Sequence, residues 1–160
     1  HGALYSDDPT DVTKSLYPVA SRLEMWRVSV LIFRDNPVWG AGPGNYREAA
    51  RKYVDQGKVH PEVVEHSHPH NAYLEALVSK GIPGLVVLLA MLLYPLRIFV
   101  RGLRRSPDTA LLGSLLVVGI ALFSLTDASP VLKNNYIAIF LIYLCAFFTM
   151  HCRALRRGET

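Results

Sequence analysis

The sequence predicts an all-α chain: a polytopic membrane-protein fragment with an external helical loop over residues 1–81 and three transmembrane helices over 82–160. Three observations predict it. Apolar residues in the first half recur at the spacing of amphipathic helices, with no strand-like alternation. The second half holds three apolar runs, 82–100, 110–126 and 136–150, close to the about 20 residues that a bilayer crossing takes. The charge is divided in the same way: residues 1–81 carry nine Lys/Arg and ten Asp/Glu, residues 82–160 eight and three, so the net +4 comes from the second half, chiefly its loops. Arginines at membrane boundaries account for that balance, and nucleic acid is not an expected partner.

Residues 1–20 contain Pro9, Pro18 and several acids without an apolar period, and they read as a loop. They have no signal-peptide pattern, so an external segment at this position is expected to follow an earlier span, and the chain to be the C-terminal piece of a larger membrane protein. Ser21 and Glu24 form a capping box, and Leu23, Trp26, Val30 and Phe33 continue an apolar stripe to Asp35 before Asn36-Pro37 stops the helix. Arg22 falls in its first turn; by residue type it suits a snorkelling or loop-pairing cation as well as an anion-binding one. Val38 to Tyr46 holds Gly40, Gly42 and Gly44, which fit a tight turn and match neither the dinucleotide nor the Walker spacing. Asn45 then caps a helix through Tyr46, Ala49, Ala50, Tyr53 and Val54 to a Gly57 stop, with Arg47, Arg51, Lys52 and Lys58 on its polar side.

His60, His66, His68 and His70 invite a metal reading, since imidazole is a good zinc ligand. Pro69 breaks the alternation, no cysteine is near and no H-x-x-x-H pair exists, so neither a metal nor a cofactor is expected. Pro69 suits a first helical turn and Asn71 a cap. Tyr73, Leu74, Leu77 and Val78 make one apolar face, Glu75, Ser79 and Lys80 take the other, and Lys80-Gly81 ends the helix. His70 then lies in the first turn, where the helix dipole favours the neutral imidazole that a general base needs; an ordinary surface histidine is the alternative. His68 and Glu75 are placed to orient His70 or an acceptor, or else face water, and His66 is expected to face water.

Arg101, Arg104 and Arg105 follow the first span and Arg153, Arg156 and Arg157 the third, so the positive-inside rule puts the C-terminus in the cytoplasm and residues 1–81 and 127–135 outside. Trp26 and Trp39 are candidates for the bilayer interface. Cys145 and Cys152 are about 10 Å apart along one helix, too far for a disulfide. The only charge in the three spans is Arg97, near a cytoplasmic end, which argues against a transporter half. A non-catalytic membrane scaffold with an external binding loop is a further reading.

The order of motifs carries more than any one of them. Arg22 and Trp26 open a helix, Pro37-x-x-Gly40-x-Gly42 turns, Asn45-Tyr46 and then His70-Asn71-x-Tyr73-Leu74 follow, and Gly81-Ile82-x-Gly84 enters a membrane helix. From about Ser21 to Asp127 this resembles the C-terminal part of the O-antigen ligase and polymerase superfamily, bacterial membrane glycosyltransferases of surface-polysaccharide assembly. The resemblance implies a GT-C-like helical membrane fold in the bacterial inner membrane, with residues 1–81 periplasmic. It implies an undecaprenyl-pyrophosphate-linked glycan as donor, and lipid A core or another glycan as acceptor. By motif and order His70 matches the family's histidine and Arg22 its arginine; His68, Asn71, Glu75 and Asp127 are candidate substrate contacts. Further basic residues come from an earlier external loop in that family, so this stretch alone is expected to be inactive. Ligation to lipid A core is the leading reading, and O-antigen or exopolysaccharide polymerisation and protein O-oligosaccharyl transfer share its framework.

Overall fold

The structure is a computed structural model that describes residues 11–126 and 134–157; Asp127, one of the sequence candidates, lies outside them. Among the described residues all regular structure is helical. The elements are α1 (Asp11–Asp35), α2 (Tyr46–Asp55), a 3₁₀ turn (Pro61–Val64), α3 (Ala72–Gly102), α4 (Pro107–Phe123) and α5 (Asn134–Arg157).

The helix α1 starts ten residues before the expected cap and runs through Pro18. Ser21 does not cap it: the side chain is buried, and its hydroxyl donates to Glu62 Oε1 at 3.3 Å, next to the 3₁₀ turn. Arg22 is therefore mid-helix. The buried stripe also differs from the expected one. Met25, Val28 and Ile32 point inward with Ser29, whereas Leu23 and Val30 are exposed. Both stripes are apolar, so the sequence allowed either face, and the choice fell to the neighbours that pack there.

Those neighbours are Tyr46, Ala50 and Tyr53 of α2, then Val59, Val63 and Val78, which close one hydrophobic core. Asn45 does precede α2, but its side chain makes no cap bond; its amide donates to the Ala41 carbonyl at 2.9 Å and tightens the glycine turn. The Gly57 stop forms as expected, with Gly57 at φ 64° and the Gly57 and Lys58 amides donating back to Val54 and Tyr53. The Tyr53 hydroxyl donates to Leu31 O and Asp35 Oδ2, and Lys52 also pairs with Asp35, so α2 is strapped along α1. These donors hold the Asp35 carboxyl below its usual range, the Lys52 bond first. Burial, then the Asp35 bond, pushes the Tyr53 hydroxyl up to about 12.

At Gly81 the helix α3 breaks without stopping. Its φ of 65° and ψ of −155° are not helical, and they divide the element into an amphipathic piece, 72–80, and an apolar piece, 82–102. The glycine turn docks into this break. Ala41 N donates to Val78 O at 2.6 Å and Ile82 N to Pro37 O at 2.9 Å, so the amide and carbonyl freed by the break find partners in the turn. The element is long and apolar enough to cross a membrane; α4 and the stretch Phe140–Ala154 of α5 are shorter apolar helices. The piece after Gly81 alone meets the about 20 residues a crossing takes. A second core joins Ala72, Ala76, Leu88, Leu92 and Phe99 of α3 to Val117 of α4 and Phe140 of α5.

Candidate functional site

The histidine segment is suspended between α1 and the end of α4. Glu62 in the 3₁₀ turn begins it: its amide donates to His60 Nδ1 at 3.3 Å, and its Oε1 lies 3.9 Å from His66 Nε2 besides accepting from Ser21. Pro69 is fully buried, and its carbonyl accepts the Trp26 indole N–H at 3.0 Å. Trp26 is thus tied to the histidine segment, whereas Trp39 is 77% exposed.

His70 comes next and adopts φ 50°, a left-handed conformation that non-glycine residues seldom take. It lies before the helix, not in its first turn, because Asn71 is the cap. Asn71 Oδ1 accepts from the Tyr73 and Leu74 amides at 3.0 Å each. Its Nδ2 donates to Leu125 O at 2.9 Å, the Ala72 amide to Ser124 O at 2.8 Å, and the Tyr73 hydroxyl to Ala121 O at 2.9 Å. Three consecutive residues therefore tie the start of α3 to the last turn of α4. Both ends of the Asn71 amide are engaged by backbone, which fixes the residue that follows His70.

The rings gather around His70. His68 lies 4.4 Å away between centroids and His66 5.7 Å away edge-on, and the Ser67 hydroxyl is 2.9 Å from His68 Nδ1. His66 is half-buried between His70 and Glu62, so it does not simply face water. Among the described residues no group of three or more His, Cys, Asp or Glu is placed to hold a metal ion.

One turn after Asn71, Glu75 turns inward. Its Oε2 is buried and has no hydrogen-bond partner among the described residues, and burial raises its carboxyl to about 7, with Lys80 opposing. The nearby Tyr46 hydroxyl is raised as well, by burial first and by the Glu75 charge among lesser causes. Glu75 is thus partly buried beside Tyr46, with one carboxylate oxygen shut away from solvent. Arg22 is exposed one turn ahead of Trp26 on the same side of α1, which puts it on the flank of the histidine segment. Glu62 escaped the sequence reading, and Ser21 was read there only as a helix cap. Their link spans 41 positions, and no local pattern signals it.

A helix long and apolar enough to cross a membrane thus begins at a cap that follows a strained histidine set among other imidazoles, with an exposed arginine on the neighbouring helix. Residues 14–89 match the family described as O-antigen ligase, and this stretch belongs to the C-terminal portion of the O-antigen ligase superfamily. The match covers α1, the glycine turn, the histidine segment and the entry of α3. A similar protein is an uncharacterized protein of Haemophilus influenzae, 27% identical over 85 residues, which are 53% of this chain and 21% of that relative. The chain therefore aligns with about a fifth of that relative's length.

Proposed function

We propose that the full-length protein is an inverting membrane glycosyltransferase that moves a glycan from undecaprenyl pyrophosphate to an acceptor, most directly the lipid A core, outside the cytoplasm. In this reading residues 1–81 lie on the periplasmic face, α3, α4 and α5 cross the inner membrane, and the C-terminus is cytoplasmic. The observation that carries it is the histidine segment: His70 is held in a left-handed conformation from two sides, by Trp26 through Pro69 and by Leu125 through Asn71, just ahead of the helix that is apolar enough to cross a membrane. A strained residue held from both sides is what a preorganised catalytic group requires.

The acceptor hydroxyl has to lose its proton as its oxygen attacks the anomeric carbon, and His70, neutral, takes that proton. Such general-base help is worth roughly 10²–10⁴-fold. The bond to the pyrophosphate oxygen breaks as the new glycosidic bond forms, inverting the anomeric centre, and Arg22 meets the developing charge with two parallel N–H donors. His66 and His68 line the approach to His70. Glu75, partly buried and with its carboxyl raised to about 7, lies one turn beyond the Asn71 cap and takes no part in the transfer.

The test is to delete the full-length gene and restore it with the native sequence, His70→Ala or Arg22→Ala, and then to compare surface polysaccharide with extracted lipid-linked glycan. Bare lipid A core with accumulating lipid-linked polymer in both variants, at native protein level, is the expected result. Cores bearing a single repeat unit would reassign the enzyme as a polymerase. A native ladder in His70→Ala would end the role of this histidine as the base.

A further inference from the structure

At the end of the bundle opposite His70, α3 and α5 enclose a groove of about 350 Å³, lined by Met91, Tyr94 and Pro95 on one side and Leu144, Cys145 and Phe148 on the other. Its walls are almost wholly apolar, and its size suits a hydrocarbon chain better than a polar ligand.

The faces that line it continue into arginines. On α3, Arg97 follows Tyr94 by three residues and Arg101 follows Arg97 by four; on α5, Arg153 follows the lining residue Thr149 by four and Arg156 follows by three more. Helical spacing therefore puts all four below the groove on the surfaces that form its walls. All four are exposed, and none has an ion-pair partner among the described residues. The two helices meet closely at this level. Gly102 lies directly against the His151 ring, and a Cβ there would overlap it, so the arginine pairs flank one closed end.

We propose that this groove is a binding site for an anionic phospholipid of the leaflet nearest the C-terminus, one acyl chain lying in the groove and the headgroup phosphate held by the forks of Arg97, Arg101, Arg153 and Arg156. Charge complementarity selects this occupant. A covering protein helix satisfies the apolar walls and leaves four guanidinium groups without anions, whereas an anionic phospholipid satisfies both and a zwitterionic one only the first. The inference rests on α3 and α5 crossing the membrane, as in the proposed function, and not on the glycan chemistry.

The experiment is native mass spectrometry of the purified full-length protein in detergent, with phosphatidylglycerol and phosphatidylethanolamine added in equal amounts. Retained phosphatidylglycerol should exceed phosphatidylethanolamine about tenfold, a difference of about 1.4 kcal/mol. Replacing the four arginines with Gln should abolish the preference, replacing them with Lys should keep part of it, and Ala90→Trp, which fills the groove, should reduce it while leaving the arginines in place. Equal retention of the two lipids overturns the proposal, as does a preference that survives the Gln substitutions. A preference unaffected by Ala90→Trp also overturns it, because the groove is then occupied by another part of the full chain. Thermal midpoints of all variants identify any that are misfolded, with the Lys set and Ala90→Trp carrying the test if the Gln set is. The transfer assay is independent, so losing the lipid site leaves the reading of His70 intact.

Discussion

At the scale of single residues, the position of His70 is set by hydrogen bonds to the residues on either side of it, from Trp26 to Pro69 and from Asn71 to Leu125. Trp26→Phe keeps an aromatic six-membered ring but deletes the fused pyrrole ring with its N–H, the donor to the Pro69 carbonyl, so some packing is lost with the hydrogen bond. A lost hydrogen bond of this kind costs about 1 kcal/mol in stability. Transfer should fall further, by roughly tenfold or more, because a base displaced by even a fraction of an ångström loses its alignment. Unfolding midpoint and turnover measured on the same preparation separate the two effects, and equal, small losses in both would reduce Trp26 to a packing residue. Glu75 makes a different prediction. Burial lifts its folded-state carboxyl from 4.5 to about 7. Between those values the folded protein holds a proton that the unfolded chain has released, so stability falls as pH rises through that window and is level above it. Glu75→Gln should abolish this slope. Denaturation of the full-length protein at pH 5, 6 and 7.5 checks it, and a native slope in the variant would assign the effect to another group.

At the scale of elements, the break at Gly81 joins the two parts of the chain. With φ at 65° and the carbonyls of Pro37 and Val38 packed against its Cα, the residue has no room for a side chain. Gly81→Ala meets a left-handed backbone and a steric clash together, and the strained conformation alone costs about 1–3 kcal/mol. The glycine turn should undock, and thiol labelling of a cysteine placed at Ala41 should rise as it does; unchanged labelling would show that the turn holds without the break. Much of this was legible beforehand. Glycines at 40, 42, 44, 57 and 81 announced turns, and all five have positive φ. Asn71 announced a cap, and it caps. What the sequence could not supply was partnership at a distance. The capping box at Ser21 is locally sound, yet Glu62, 41 residues on, claims the serine and the helix extends past it. Likewise, α1 offers two apolar stripes, and only α2 and Val63 decide which is buried. His70 was identified as a candidate, but its left-handed backbone arises because Trp26 and Leu125 hold the residues on either side.

At the scale of the whole molecule, the two ends of the bundle depend on each other through α4. Its last turn receives Asn71, Ala72 and Tyr73, and its first turn meets α5, where Thr109 Oγ1 lies 3.0 Å from His151 Nδ1 and Ser106 Oγ 2.7 Å from Thr109 Oγ1. His151 is fully buried, edge-on to Phe99 at 5.7 Å, with Nε2 pressed against Gly102. In Gly102→Ala the new methyl group and the imidazole cannot share that volume. Overpacking of this kind costs about 1–3 kcal/mol, and α5 has to move away from α3. In a His151→Ala background the methyl group meets open space instead, and the substitution should be near neutral or stabilise by up to about 1 kcal/mol, since alanine favours the helix more than glycine does. The double-mutant cycle should therefore return a coupling of roughly 1–3 kcal/mol between the two positions. Additive effects would mean that α5 does not pack on α3 through this pair. If the coupling is present, Gly102→Ala should also slow glycan transfer, although it lies at the opposite end of α3 from His70. The displaced α5 tilts α4, and the last turn of α4 is what holds the cap beneath the histidine.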